Sequence, residues 1–293
     1  MTGRIDADVL AMSCAGVRVA EYAWRAPLSE RLSPRPYLHP VSTLDGTVVT
    51  ELSPEDHPHH LGVSVAVPDV GGHNFWGGRT FVRDRGPEWL ANHGRQRHTT
   101  WLSRTPGGFV ELLRWTAPNG SDVLHERRAV SARQVDDRSW LLDVEFTLTN
   151  PTGSALLMRS PATNGRPGAA YGGFFWRMPG RSRCLTVRTA AAEGELAVHG
   201  SRANWLALSG TAPDGRAWSL VFVPSGRVDP WFVRIGSYPG VGAALAWRRP
   251  LPVPAGGAVR RRVLTVVADG VLPPAGLSAL VRAVRNGSIR GDQ

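Results

Sequence analysis

Six of the nine histidines in this 293-residue chain fall between His57 and His98, among Gly, Pro, Asn and Trp rather than inside a plain strand pattern. The densest run is Asp56-His57-Pro58-His59-His60-Leu61-Gly62. Gly71-Gly72-His73-Asn74-Phe75-Trp76-Gly77-Gly78 and His93-Gly94-Arg95-Gln96-Arg97-His98 follow it. An imidazole gains or loses its charge near neutral pH, so a clustered set can move protons as general acid and base. Its neutral ring nitrogens can equally hold a transition metal together with a carboxylate. On an extended backbone His57 and His59 point to one face and His60 to the other, with His98 reaching them from a neighbouring strand. The first expectation is catalysis without a cofactor, with His57 and His98 as base and acid and His59 assisting. The alternative is a divalent transition metal on His57, His59 and His98. Metal sites of the His-x-His type place a Glu shortly afterwards. Here Leu61-Gly62-Val63-Ser64-Val65 follows, so an acidic ligand has to come from Asp56, Asp69 or Glu126. A structural use, with ring nitrogens satisfying loop carbonyls, is the third reading.

Glu126 is a candidate catalytic carboxylate, its plainer use being the ion-pair partner of Arg128. The other polar and aromatic candidates are Arg35, Tyr37, His39, Asn74, Trp76, Arg159, Asn164, Arg166 and Trp176. This mixture suits a sugar: flat rings stack on its C–H faces, and Arg and Asn make paired hydrogen bonds to its hydroxyls. Most of the 11 tryptophans must be core, and only Trp76 and Trp176 stand in Gly-rich surroundings.

The elements that would carry these residues read as short strands. VLAMSCAGVRVAEYAWR fits a strand pair, and Asp45-Gly46 marks a turn after RPYLHPVSTL. From Thr99 to Arg133, three strand candidates are separated by Pro-Gly-Gly and Pro-Asn-Gly, a meander. In SWLLDVEFTLTN, Leu142, Val144, Phe146 and Leu148 alternate with Asp143, Glu145, Thr147 and Thr149, giving one buried and one solvated face. Runs such as WSLVFVPS and VRRRVLTVVA continue the pattern. One helix is expected, in LSALVRAVRNG, where Leu277, Leu280, Val281 and Val284 form a stripe ended by Asn286-Gly287. The fold class is therefore all-β, a large two-sheet antiparallel β-sandwich with a short C-terminal helix. With no linker or repeat in view, residues 1–293 are read as a single domain.

Composition narrows the function classes. The net charge of +10 comes from 34 basic residues, all arginine, against 24 acidic ones, and the arginines are scattered rather than gathered in a stripe. Nucleic acid is not an expected partner. No run approaches the roughly 20 apolar residues that span a bilayer. The two cysteines make no disulfide framework, and the amino-terminal run, with Asp6 and Asp8 and no basic start, is unlike a secretory signal. A cytoplasmic location is expected, and homo-oligomers stay open.

In RPYLHPV, PEDHPHHLGVSVAVPDVGGHNFW, HGRQRH and YGGFFWR, the sequence resembles a bacterial family labelled methane oxygenase PmoA-like, of the DUF6807 type. The label implies an oxygenase. The methane monooxygenase subunit that lends it is an integral membrane protein, and with no spanning segment here methane oxidation is not expected. The resemblance further implies a supersandwich similar to galactose mutarotase, a fold that binds carbohydrate on a concave sheet and uses His with Glu or Asp. The combined expectation is a carbohydrate-active enzyme moving protons on a sugar or glycoside, of epimerase, mutarotase or lyase type. The alternatives are a His-ligated metal enzyme, possibly oxygenase-like, and a non-catalytic carbohydrate-binding protein.

Overall fold

The computed structural model describes residues 8–287, so Asp6 of the amino-terminal run lies outside the described residues. Two large antiparallel sheets dominate. The first has seven strands in the order Asp8–Cys14, Val17–Arg25, Tyr37–Val41, Val63–Ala66, Gly173–Arg177, Gly240–Ala244 and Trp231–Arg234. The second has eight, in the order Arg183–Arg188, Leu206–Thr211, Ala217–Ser225, Ala258–Asp269, Ser139–Thr149, Asp122–Asp136, Gly108–Thr116 and Arg95–Thr105. A three-stranded sheet (Leu251–Val253, Leu156–Arg159, Asp69–Val70) and the hairpin Thr80–Val82/Gly86–Glu88 sit beside them.

One apolar cluster fills the layer between the large sheets, with Trp115, Trp140, Trp176, Trp218 and Trp231 fully buried. Alternation decides which side chains reach it: Leu142, Val144, Phe146 and Leu148 do, as the strand pattern requires. The opposite face of that strand differs from expectation. Leu141 is buried beneath the helix Pro274–Asn286, whose Leu277, Val281 and Val284 pack on Val221, Val223, Leu264 and Val266, and Asp143 is buried under Arg262. The helix ends as its sequence requires, at Gly287 in the left-handed conformation. Among the described residues no helix is long and apolar enough to cross a membrane.

The seven-stranded sheet turns the other side of its strands outward. Phe175 and Arg177 lie there, opposite Phe174 and Trp176 in the core, and the register sets Ser64, Phe175, Gly242 and Phe232 in one row across four strands. A parallel row holds Arg177, Gly240 and Arg234. The glycines make room for rings: a Cβ on Gly240 would stand 3.1 Å from Phe175 and 3.0 Å from Tyr238. This face carries the histidine loop.

Candidate active site

The segment from Glu51 to Gly62 is not extended. Its base is tied to the strand Gly173–Arg177 by bonds from Glu51 N–H to the Arg177 carbonyl and from Arg177 N–H to the Gly62 carbonyl. Two successive turns follow, with His57 N–H donating to the Pro54 carbonyl and His60 N–H to that of His57. The chain therefore curls and all three rings meet, where an extended reading sends His60 away. His57 stacks on His60 with centroids 4.5 Å apart, and His59 lies 4.7 Å from His60. Gly62 permits this curl at a φ of +45°, where a Cβ would fall 2.1 Å from the Leu38 carbonyl oxygen. Gly78 makes room for the His59 ring, which a Cβ would approach to 2.9 Å.

His57 Nδ1 donates to Asp56 Oδ2 at 2.8 Å, leaving Nε2 as its free lone pair on a side chain still 31% exposed. This is a carboxylate–imidazole dyad of adjacent residues. Arg177 is the hub behind it: its guanidinium donates twice to Glu51 Oε2, lies 3.9 Å from Asp56 and 5.0 Å from the Tyr238 ring centroid, and donates to His60 Nδ1 at 3.4 Å. Accepting that bond requires His60 to be neutral. Burial, then His59 and His57, push His60 well below the ordinary histidine value, and burial followed by Arg35 pushes His59 down to about 3. Burial pulls the Asp56 carboxyl up, but His57 and Arg177 outweigh it and hold it below its usual value. Tyr238, centred 4.7 Å from His57, is pushed by burial up to about 12 and keeps its proton. Trp76, Phe175 and Phe232 form a buried aromatic cluster beneath the site, so Trp76 is a packing residue rather than the expected sugar-stacking ring, and only Tyr171, Tyr238 and Trp247 are half-buried at its edge.

Several expected residues play other parts. Arg35 is buried and donates to the carbonyls of Leu32, Ser33, His59 and Trp76 and to Ser64 Oγ, pinning loops rather than a ligand. Asn74 is buried too, its Oδ1 accepting the N–H groups of Trp76 and Gly77. Tyr37 packs with Ala23 and Leu61, and His39, held down to about 4 by burial, meets the Thr50 hydroxyl. Arg159 and Asn164 face Asp69 beside the three-stranded sheet. Trp176 is a correction: it faces the core, its indole N–H donating to the Val49 carbonyl. Arg166 is exposed, and its charge reaches Tyr171 and Tyr238.

His98 and Glu126 lie in the layer between the sheets, and His98 is not brought to the His57 loop. His98 Nδ1 donates to Glu111 Oε2 at 2.7 Å, Tyr22 donates to Glu111, and Arg128 donates to Tyr22, Gln96 and both oxygens of Glu126. Trp115 completes the Glu126 shell. Glu126 thus has no access to a ligand. Among the described residues no three His, Cys, Asp or Glu side chains converge as a metal site, so His57, His59 and His98 do not fit the alternative ligand set. Cavities of about 250 Å³, lined by Arg95, Arg97, His98 and Arg114, and about 440 Å³, lined by Arg127, Asp143 and Arg262, open elsewhere, on the eight-stranded sheet.

Sequence reasoning marks Arg177 only as the end of the candidate run YGGFFWR, without its role as hub, and misses Glu51, Tyr238 and the role of Asp56 toward His57. Only the last left a local signal, the adjacency of the two residues.

No curated protein matches the sequence. Among solved structures, the chain is similar to an Escherichia coli K12 protein provisionally described as an aldose 1-epimerase, with a TM-score of 0.37 and 9% identity, over 90% of this chain and 99% of that one. Residues 9–282 match a family model whose description carries no oxygenase designation: the chain belongs to DUF6807, a family of unknown function.

Proposed function

We propose that the outward face of the seven-stranded sheet is an active site that moves a proton on a sugar or glycoside, in an epimerase, mutarotase or lyase type of reaction. The observation that carries this reading is the Asp56–His57 dyad, oriented at Nδ1 with Nε2 unbonded among the described residues, beside the half-buried rings of Tyr238 and Tyr171. Asp56 fixes the tautomer and stabilises the imidazolium that forms when Nε2 takes a proton. Tyr238, protonated at neutral pH, is the neighbouring donor that returns a proton or binds the developing oxyanion. His59 and His60 stay uncharged, so the only cation that develops beside the dyad is His57 itself. Tyr171, half-buried over Trp76, offers the ring surface on which a pyranose face would stack.

The test is a panel of aldoses, keto-sugars and glycosides, followed by NMR for anomer interconversion and for exchange of C–H for deuterium from solvent. His57→Ala should lower the rate by about 10²–10⁴-fold with the fold retained, the range for losing a general base. Asp56→Asn should lower it at least about 10-fold, because the dyad loses its orienting acceptor. A rate unchanged in His57→Ala removes His57 from the mechanism. Sugar binding without turnover across the panel would make this a carbohydrate-binding protein.

A further inference from the structure

Trp89 is the most exposed of the 11 tryptophans, at 48%. It belongs to the surroundings of the histidine loop. Its ring lies 6.1 Å from that of His93, His93 Nε2 bonds the Gly78 carbonyl at 2.7 Å, and Gly78 is the residue against which His59 packs. Gly78 N–H in turn donates to the Arg31 carbonyl. One glycine turn therefore holds both His59 and the Trp89 neighbourhood.

Two guanidinium groups stand against this indole, Arg31 at 5.1 Å and Arg79 at 5.9 Å from the ring centroid. The carboxylates closest to them in sequence are engaged elsewhere, Glu30 by Arg95 and Glu88 by Arg85. Among the described residues Arg31 has no ion pair, and Arg79 reaches only the Pro87 carbonyl, at 3.5 Å. Two like charges held at one ring without a counter-charge repel each other, and an anion placed between them relieves that repulsion while taking charge-assisted hydrogen bonds. The indole supplies the apolar surface beside the charge. The exposed Arg166, close to Tyr171 and Tyr238, adds positive potential at the site, and the +10 net charge attracts anions to the whole molecule.

We infer that the ligand is an anionic monosaccharide, its carboxylate or phosphate held by Arg31 and Arg79 beside Trp89. That its ring then extends toward His57 and Tyr238 rests on the proton-transfer reading above.

The experiment is calorimetric titration of the full chain with glucuronate, glucose 6-phosphate and glucose. At least one anion should bind 10-fold or more tighter than glucose, and weaken as NaCl is raised from about 50 to 500 mM. The uronate and the phosphate, compared directly, distinguish the two anionic groups. Arg31→Gln/Arg79→Gln, confirmed folded by its melting temperature, should lose at least 10-fold in anion affinity and leave glucose unchanged. Equal binding of glucose and both anions, an unaffected double variant, or no anion binding would each overturn the inference. His57→Ala separates the two ideas. Normal turnover in that variant defeats the proton-transfer reading while the arginine dependence of binding stands. Turnover of neutral sugars through His57 with no preference for anions defeats the inference alone.

Discussion

Burial beneath Tyr238, Trp76 and Phe175 keeps His60 neutral, and His59 and His39 stay neutral down to about pH 3 and about pH 4. In the unfolded chain each takes a proton near pH 6.5. Their folded values are depressed, so the fold loses stability as pH falls below about 6.5, by at most roughly 1.4 kcal/mol per pH unit per histidine. Glu111, pushed up by burial, acts in the opposite sense, while His73 and His199, also held down by burial, act with the three. The urea midpoint should accordingly be lower at pH 5 than at pH 7.5, and His59→Asn should flatten the difference; an equal midpoint at both would contradict the burial argument. At this scale the sequence was a partial guide. The histidine cluster stood out by count, and Glu126 met its expected partner Arg128. The His98–Glu111 bond did not show, because the two side chains meet only through strand pairing and a bulge between His98 and Thr100. Trp176 misled for a different reason: GFFWR is buried on both faces, so alternation cannot tell which ring faces the core.

Elements were more legible than residues. The meander from Arg95 to Thr149 and the helix from Pro274 follow from periodicity and turn residues, both local properties. The loop that shapes the site is less legible: its side-chain directions follow the extended rule only if the segment is extended, whereas Pro54 and Pro58 bracket a turn and Gly62 ends it. Gly62→Ala tests that loop. The new Cβ meets a backbone oxygen at 2.1 Å in a left-handed conformation, so a loss of about 2–4 kcal/mol is expected in chemical denaturation. The histidine NMR signals of the loop should shift with it. A variant as stable as the parent would show that the Leu38–Gly62 approach is looser than described.

Across the whole molecule, the two large sheets are joined by more than apolar contact. Tyr22 from one sheet bonds Glu111 of the other, Arg128 bonds Tyr22, and Gln96 donates to the Val65 carbonyl. Arg128 is the buried cation that Glu126 and Glu111 share, and Arg128→Met strands both carboxylates in the core. A cost of about 3–5 kcal/mol is expected, read as a lower urea midpoint at pH 7.5. Adding Glu126→Leu should recover part of it, and no loss in the single variant would mean that water already reaches the network. Two greasy layers held by packing alone can slide past each other, since dispersion and hydrophobic contact have little directional preference. Here the layers are keyed by bonds that tolerate only one alignment. Under mechanical load or pressure the sandwich should resist shear and fail by peeling its outermost strands, so that the histidine-bearing face keeps its shape until the molecule comes apart.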